Sequence, residues 1–95
     1  MEEYSILESV KKNYGFEDND YHDGILQEKI DEVIEYLIDA GIPEAIVMSK
    51  RCKGIIFRGV DDLWTSGGGN ATLSPYFKER AAQLALKWGV KNGQT

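Results

Sequence analysis

Ninety-five residues, 42% apolar and 28% charged, suffice for one small domain with its own core and exclude an intrinsically disordered chain. The longest uninterrupted apolar run, Ala45 to Met48, is far short of a membrane span, and the lone Cys52 excludes an internal disulfide and fits a reducing compartment. The net charge of −5 is steeply graded: residues 1–44 hold thirteen Asp and Glu against three Lys, and residues 45–95 hold eight Lys and Arg against three acids.

The chain begins Met1-Glu2-Glu3-Tyr4, acidic where a signal peptide is basic and then apolar. A first helix is predicted from Ile6 to Tyr14. Ser5 and Glu8 form an S-x-x-E capping box, in which each side chain serves the other residue's backbone N–H. Ile6, Leu7, Val10 and Tyr14 share one face, and Gly15 closes the helix. Phe16 to Asp23 is a polar loop whose acids invite a calcium reading, but the ligand spacing fails. Counted from Asp18, the twelfth position is Lys29 where a bidentate Glu is required; counted from Asn19, Tyr21 and Ile30 fall on ligand positions. With no second His or Cys at ligand spacing, His22 reads as a surface or helix-start residue.

A long helix follows, from Tyr21 to Ala40. Tyr21, Ile25, Leu26, Ile30, Val33, Ile34, Leu37 and Ile38 recur at steps of three and four and fall on one stripe. Asp20 or Asp23 is placed to cap its start, and Gly41 with Pro43 ends it. Its outer face carries Glu28, Asp31, Glu32, Glu35 and Asp39, including like-charge pairs four apart that each cost about 0.2–0.5 kcal/mol in an isolated helix. The face reads either as solvated surface or as a docking surface for a basic partner. Lys50, Arg51, Lys53 and Arg58 supply the cations, in the same copy or the next. A chain acidic at one end and basic at the other attracts its own copies head to tail.

Pro43 suits the first position of a third helix. Met48, Cys52, Ile55, Ile56, Gly59, Val60 and Leu63 continue with helical steps, which predicts one long, bent helix from Glu44 to about Trp64. Ile55-Ile56-Phe57 is also compatible with a short strand. Gly54 and Gly59 each weaken a helix by about 1 kcal/mol relative to Ala, and on an apolar face they let another helix come close. Thr65 to Thr72 is a Gly-rich loop without the Lys-Ser or Lys-Thr of a phosphate cradle. The last helix starts at Ser74 as cap and Pro75 as first residue and runs to about Trp88, with Phe77, Ala81, Leu84, Ala85 and Trp88 on its apolar face. The expectation is an all-α fold, a small bundle of four helices with the Gly-rich loop before the last. Residues 1–88 form the single domain and residues 89–95 a flexible tail.

Gly59-Val60-Asp61-Asp62-Leu63-Trp64, the Gly-rich stretch after it, Ser74-Pro75-Tyr76-Phe77, and then Arg80, Gln83 and Leu84 together resemble the head–tail connector, or adaptor, proteins of tailed bacteriophages, sometimes labelled DNA-packaging proteins. The resemblance covers most of residues 20–88. It departs from the pattern at Ala85, where several members carry Arg, and in its short segment after Trp88. The resemblance implies a helical structural protein with no catalysis and no cofactor. It implies a homo-oligomeric ring, about twelve subunits in the virion, docked under the portal protein after DNA packaging. The ring offers a platform to a stopper or tail-completion protein, and DNA passes through without specific binding. Localisation follows as the head–tail junction of the virion, with assembly in the bacterial cytoplasm and no membrane contact. Read from the residues themselves, Trp64 and Trp88 are core anchors first and interface residues second. Asp61, Asp62 and Arg80 read as helix-end and inter-helix pairs.

The rival reading is a small helix-turn-helix DNA-binding regulator, to which Lys50 to Arg58 lends charge. Gly54 and Ile55-Ile56-Phe57 suit a buried helix better, and the net charge of −5 opposes tight phosphate binding. One His, one Cys and no carboxylate pair beside a nucleophile leave little from which to build an enzyme site.

Overall fold

Ser5 starts the first helix as expected: its Oγ accepts the Glu8 N–H at 3.2 Å, and α1 spans Ile6–Tyr14. Gly15 closes it at φ 78°, a left-handed conformation in which a Cβ would crowd the backbone. The computed structural model describes residues 4–65 and 72–89; it is 76% helical with no strand among the described residues, so the fold is all-α. Four helices have seven or more residues, as a small bundle requires.

The second helix, α2, spans Asp23–Asp39. Neither candidate aspartate caps it through its side chain. His22 occupies the cap position without a side-chain cap bond, and Asp20 contributes its backbone carbonyl to the Asp23 N–H. The Asp23 carboxylate is engaged elsewhere, 3.0 Å from the Lys11 Nζ. That pair draws Lys11 into the contact between α1 and α2, where it is 4% exposed. The hydrogen bond to Asp23 holds the Lys11 ammonium above its ordinary pKa.

The apolar stripe of α2 is narrower than its sequence pattern. Leu26, Ile30, Val33 and Leu37 are buried, but Tyr21, Ile25 and Ile38 stay 83%, 50% and 37% exposed. Tyr21 precedes the helix. Ile25 and Ile38 adjoin the fully buried Leu26 and Leu37 in sequence but stand about 100° round the helix from them, on the flanks of the stripe.

The single bent helix expected from Glu44 to Trp64 is three elements instead. α3 spans Glu44–Val47, a 3₁₀ turn spans Lys50–Cys52, and α4 spans Lys53–Thr65. Pro43 stands at the cap position of α3, one residue earlier than expected. Ser49 makes the break, with extended backbone at φ −91° and ψ 169°. Its Oγ donates to the Ile46 carbonyl at 2.7 Å and accepts the Arg51 N–H at 3.2 Å, serving one helix end and one helix start at once. The break also leaves Met48, expected on the apolar face, 45% exposed. Ile55-Ile56-Phe57 is helical, not a strand.

α4 is the central partner of α2. Ile56, Val60 and Leu63 are buried beside Val33 and Leu37, and Gly59 lets the elements close. A Cβ on Gly59 would lie 2.7 Å from Phe77 Cε2 and 2.9 Å from a Val33 methyl, so the close approach expected of these glycines is real there. Gly54 has open space around it and plays no such part.

The expected loop falls largely at residues 66–71, outside the described residues. After it, Ser74 Oγ accepts the Phe77 N–H at 3.1 Å and Pro75 opens α5, Pro75–Leu84. Phe77, Ala81 and Leu84 are buried as predicted. The helix then widens into a π-turn, Ala85–Gly89, whose last glycine packs directly on the Gly41 carbonyl. Gly89 is therefore part of the fold; the rest of the expected tail, residues 90–95, lies outside the described residues. Ser74→Ala is expected to lower stability by about 1 kcal/mol, read as a fall in urea midpoint at unchanged slope.

An aromatic cluster joins α1, the loop after it and α4. Tyr14 lies 5.1 Å from Phe57 and 5.8 Å from Trp64, and His22 stacks on Phe16 at 4.4 Å. The Tyr14 hydroxyl donates to Asp61 at 2.7 Å. Burial first, and then that bond, push the Tyr14 phenol above its ordinary pKa of 10.0. The native value being the higher, the unfolded chain loses this proton first as pH rises. The contribution is intact below pH about 10 and is lost above it. Tyr14→Phe is expected to make the alkaline loss of stability shallower, measured by urea unfolding between roughly pH 8 and pH 11.

Candidate interaction surfaces

The acidic face of α2 forms as a surface. Glu28, Asp31, Glu32, Glu35 and Asp39 are all exposed, and Asp31 accepts from the Gln27 side chain at 2.8 Å. Their register follows from the buried stripe: once Leu26, Ile30, Val33 and Leu37 face α4, the acids must face away. Among the described residues, none of these five carboxylates pairs with a cation of the same copy.

The basic residues are also exposed, but the fold divides them. Lys50 and Lys53 turn toward α1 and line a hollow with Tyr4, Ser5, Glu8, Ser9 and Lys12. Arg51 and Arg58 turn toward α5. Arg51 lies over the Trp88 ring at 4.9 Å, and Arg58 lies over Tyr76 at 4.7 Å. Arg58 Nε also pairs with the Asp62 carboxylate at 3.2 Å, the i,i+4 geometry of one helix face. Between α4 and α5 these side chains border a groove of ≈ 350 Å³, lined by Arg51, Gly54, Ile55, Arg58, Tyr76, Arg80 and Leu84.

Arg80, expected in a helix-end or inter-helix pair, is exposed, and its Nη1 donates to Gln83 Oε1 on its own helix at 3.3 Å. The signal was present: Tyr76 and Arg80 are four apart on α5, one turn of surface, and Tyr76 is 57% exposed. Asp61 and Asp62 do tie elements together. Asp61 accepts from Tyr14, and Asp62 accepts the Ser74 N–H at 3.0 Å across the junction of α4 and α5.

The other residues that carry the resemblance fall around the same junction. Gly59, Leu63, Phe77 and Leu84 are in the core, Ser74 and Pro75 start α5, and Gln83 is exposed beside Arg80. Trp64 is half-buried in the aromatic cluster, and Trp88 is half-buried under Arg51. Cys52 is fully buried, and burial raises its thiol pKa. Among the described residues no group of three or more His, Cys, Asp or Glu is placed to hold a metal ion, and no helix is long and apolar enough to cross a membrane. Comparison of the chain with known protein families, with curated proteins and with solved structures finds no match.

Proposed function

We propose that this chain is a structural subunit without catalytic chemistry, a head–tail connector of a tailed bacteriophage. In this reading its copies join head to tail as a ring beneath the portal protein once DNA is packaged, and the ring receives the stopper or tail. The observation that carries it is the segregation of charge: an acidic row on α2 and a cationic groove between α4 and α5, unpaired with each other within one copy. A heterologous, ring-forming contact needs two different patches on each subunit, and opposite charges on them set register and polarity. The resemblance in sequence adds the connector identity. Its residues build the α4–α5 junction, where Asp62 holds the first turn of α5 through the Ser74 N–H.

The helix-turn-helix rival needs a free basic helix face for phosphates. The fold instead sends Lys50 and Lys53 to one surface and Arg51 and Arg58 to another, so no single basic face forms, which favours the connector reading. Added to purified portal protein, the chain is expected to form a closed ring, visible by electron microscopy. Reversing Glu32 and Glu35 together to Arg is expected to impair ring formation with helicity unchanged. Undiminished assembly of that variant would remove the electrostatic docking. Neighbouring reading frames are expected to encode portal, capsid and tail proteins; a locus without them, or steeply salt-dependent binding to duplex DNA, would sink the reading.

A further inference from the structure

We infer that the groove bordered by Arg51, Arg58 and Arg80 is the acceptor for the acidic row of α2 on a second copy of this chain. This deepens the head-to-tail reading above and rests on it for the identity of the occupant.

The groove is prepared for carboxylates. Two of its guanidiniums lie over rings, Arg51 over Trp88 at 4.9 Å and Arg58 over Tyr76 at 4.7 Å. A guanidinium held over a ring has lost part of its rotamer freedom already and keeps N–H groups for a carboxylate. Arg51 and Arg80 have no ion-pair partner among the described residues, and Arg58 shares Asp62. Ile55 and Leu84 form an apolar floor, which strengthens any ion pair made above it.

The acidic row is built to be neutralised from outside. Glu28, Glu32, Glu35 and Asp39 follow one another at steps of four, three and four, so they form a line along α2 about 16 Å long. Among the described residues no ion pair relieves their mutual repulsion, and the buried stripe fixes the helix with this row outward. Arg80 stands on the other side of the groove, from α5, and closes it around the row. Exposed Ile25, beside Glu28 on the next turn, offers apolar contact at the rim. Nucleic-acid phosphate is a poorer occupant, since a chain of net charge −5 repels an extended polyanion outside the groove.

The test is a charge exchange followed by sedimentation velocity at low salt and up to roughly millimolar protein, where even weak association is seen. One variant carries Glu32→Arg and Glu35→Arg. The other carries Arg51→Glu and Arg80→Glu, which leaves the Arg58–Asp62 pair in place. Circular dichroism checks the helicity of both. Wild-type protein is expected to associate and to lose association with added salt. Each variant alone is expected to associate at least about tenfold more weakly. An equimolar mixture is expected to recover: the reversed row meets the reversed groove, and the unreversed row meets the unreversed groove. Monomeric wild-type protein throughout, undiminished association of either folded variant, or no recovery in the mixture would each overturn the inference. If a reversal variant loses helicity, Glu32→Gln with Glu35→Gln and Arg51→Gln with Arg80→Gln replace it, and retained association then overturns the inference. The connector reading falls on other evidence, a locus without portal and tail genes, which leaves this pairing measurable by itself.

Discussion

Phe77→Ala is expected to cost about 3–5 kcal/mol, the largest loss of any single side chain in this fold. Phe77 is 0% exposed and among the largest fully buried side chains. Its ring meets Tyr36 edge-on at 5.5 Å and touches the space in front of Gly59. Truncation therefore removes the ring's contacts with both α2 and α4 and leaves a cavity in the middle of the core. A small domain holds about 5–15 kcal/mol in all, so the variant should lie close to its unfolding threshold. Urea unfolding followed by circular dichroism reads this directly. A loss below about 1 kcal/mol would mean that α5 does not dock through this ring.

Gly59→Ala and Gly54→Ala are expected to act with opposite signs, although both put the same methyl in the same helix. Alanine is favoured over glycine by about 0.8–1 kcal/mol in a helix interior and by less in a first turn, and at Gly54, second residue of α4 with nothing within 4 Å, that smaller gain stands alone. At Gly59 the methyl meets Phe77 at 2.7 Å and both Val33 methyls at 2.9 and 3.0 Å. Val33 is β-branched and fully buried, and neither neighbour has room to yield. Overpacking costs about 1–3 kcal/mol and outweighs the helical gain, so Gly59→Ala should destabilise. In a Phe77→Leu background the same methyl has space, and its cost should shrink; additive losses would show that the clash is elsewhere. Equal effects at the two glycines would refute the close approach of α4 to α2 and α5.

These two residues also bear on the proposed assembly. Gly59 and Phe77 belong to the stretch that resembles phage connectors, and the fold uses them to seat α5 on α4. Arg80, one turn after Phe77, owes its place over the groove to that seating. A variant with α5 displaced is thus expected to lose the cationic groove while keeping the acidic row of α2. Assembly and stability should fall together in Phe77→Ala, and assembly alone in the charge variants.

Local chemistry made much of this protein legible in its sequence. The capping serines Ser5 and Ser74, the stop at Gly15 and the proline at the start of α5 all act within a few residues of themselves, so their effect could be read without a partner. The buried stripe of α2 and the outward acids followed from the 3.6-residue period alone. What only the tertiary structure decided depends on groups distant in the chain. Ser49 is the local exception, a break that periodicity does not register, because its hydroxyl is shared between the neighbouring Ile46 and Arg51. Lys11 is buried because Asp23 meets it across two helices. The four basic residues from Lys50 to Arg58 divide between two surfaces because α1 and α5 pack on either side of their segment, and Arg80 joins Arg51 and Arg58 for the same reason. Sequence period assigns a residue to a face; which neighbour that face meets is set by the packing of whole helices, and there the charges found their places.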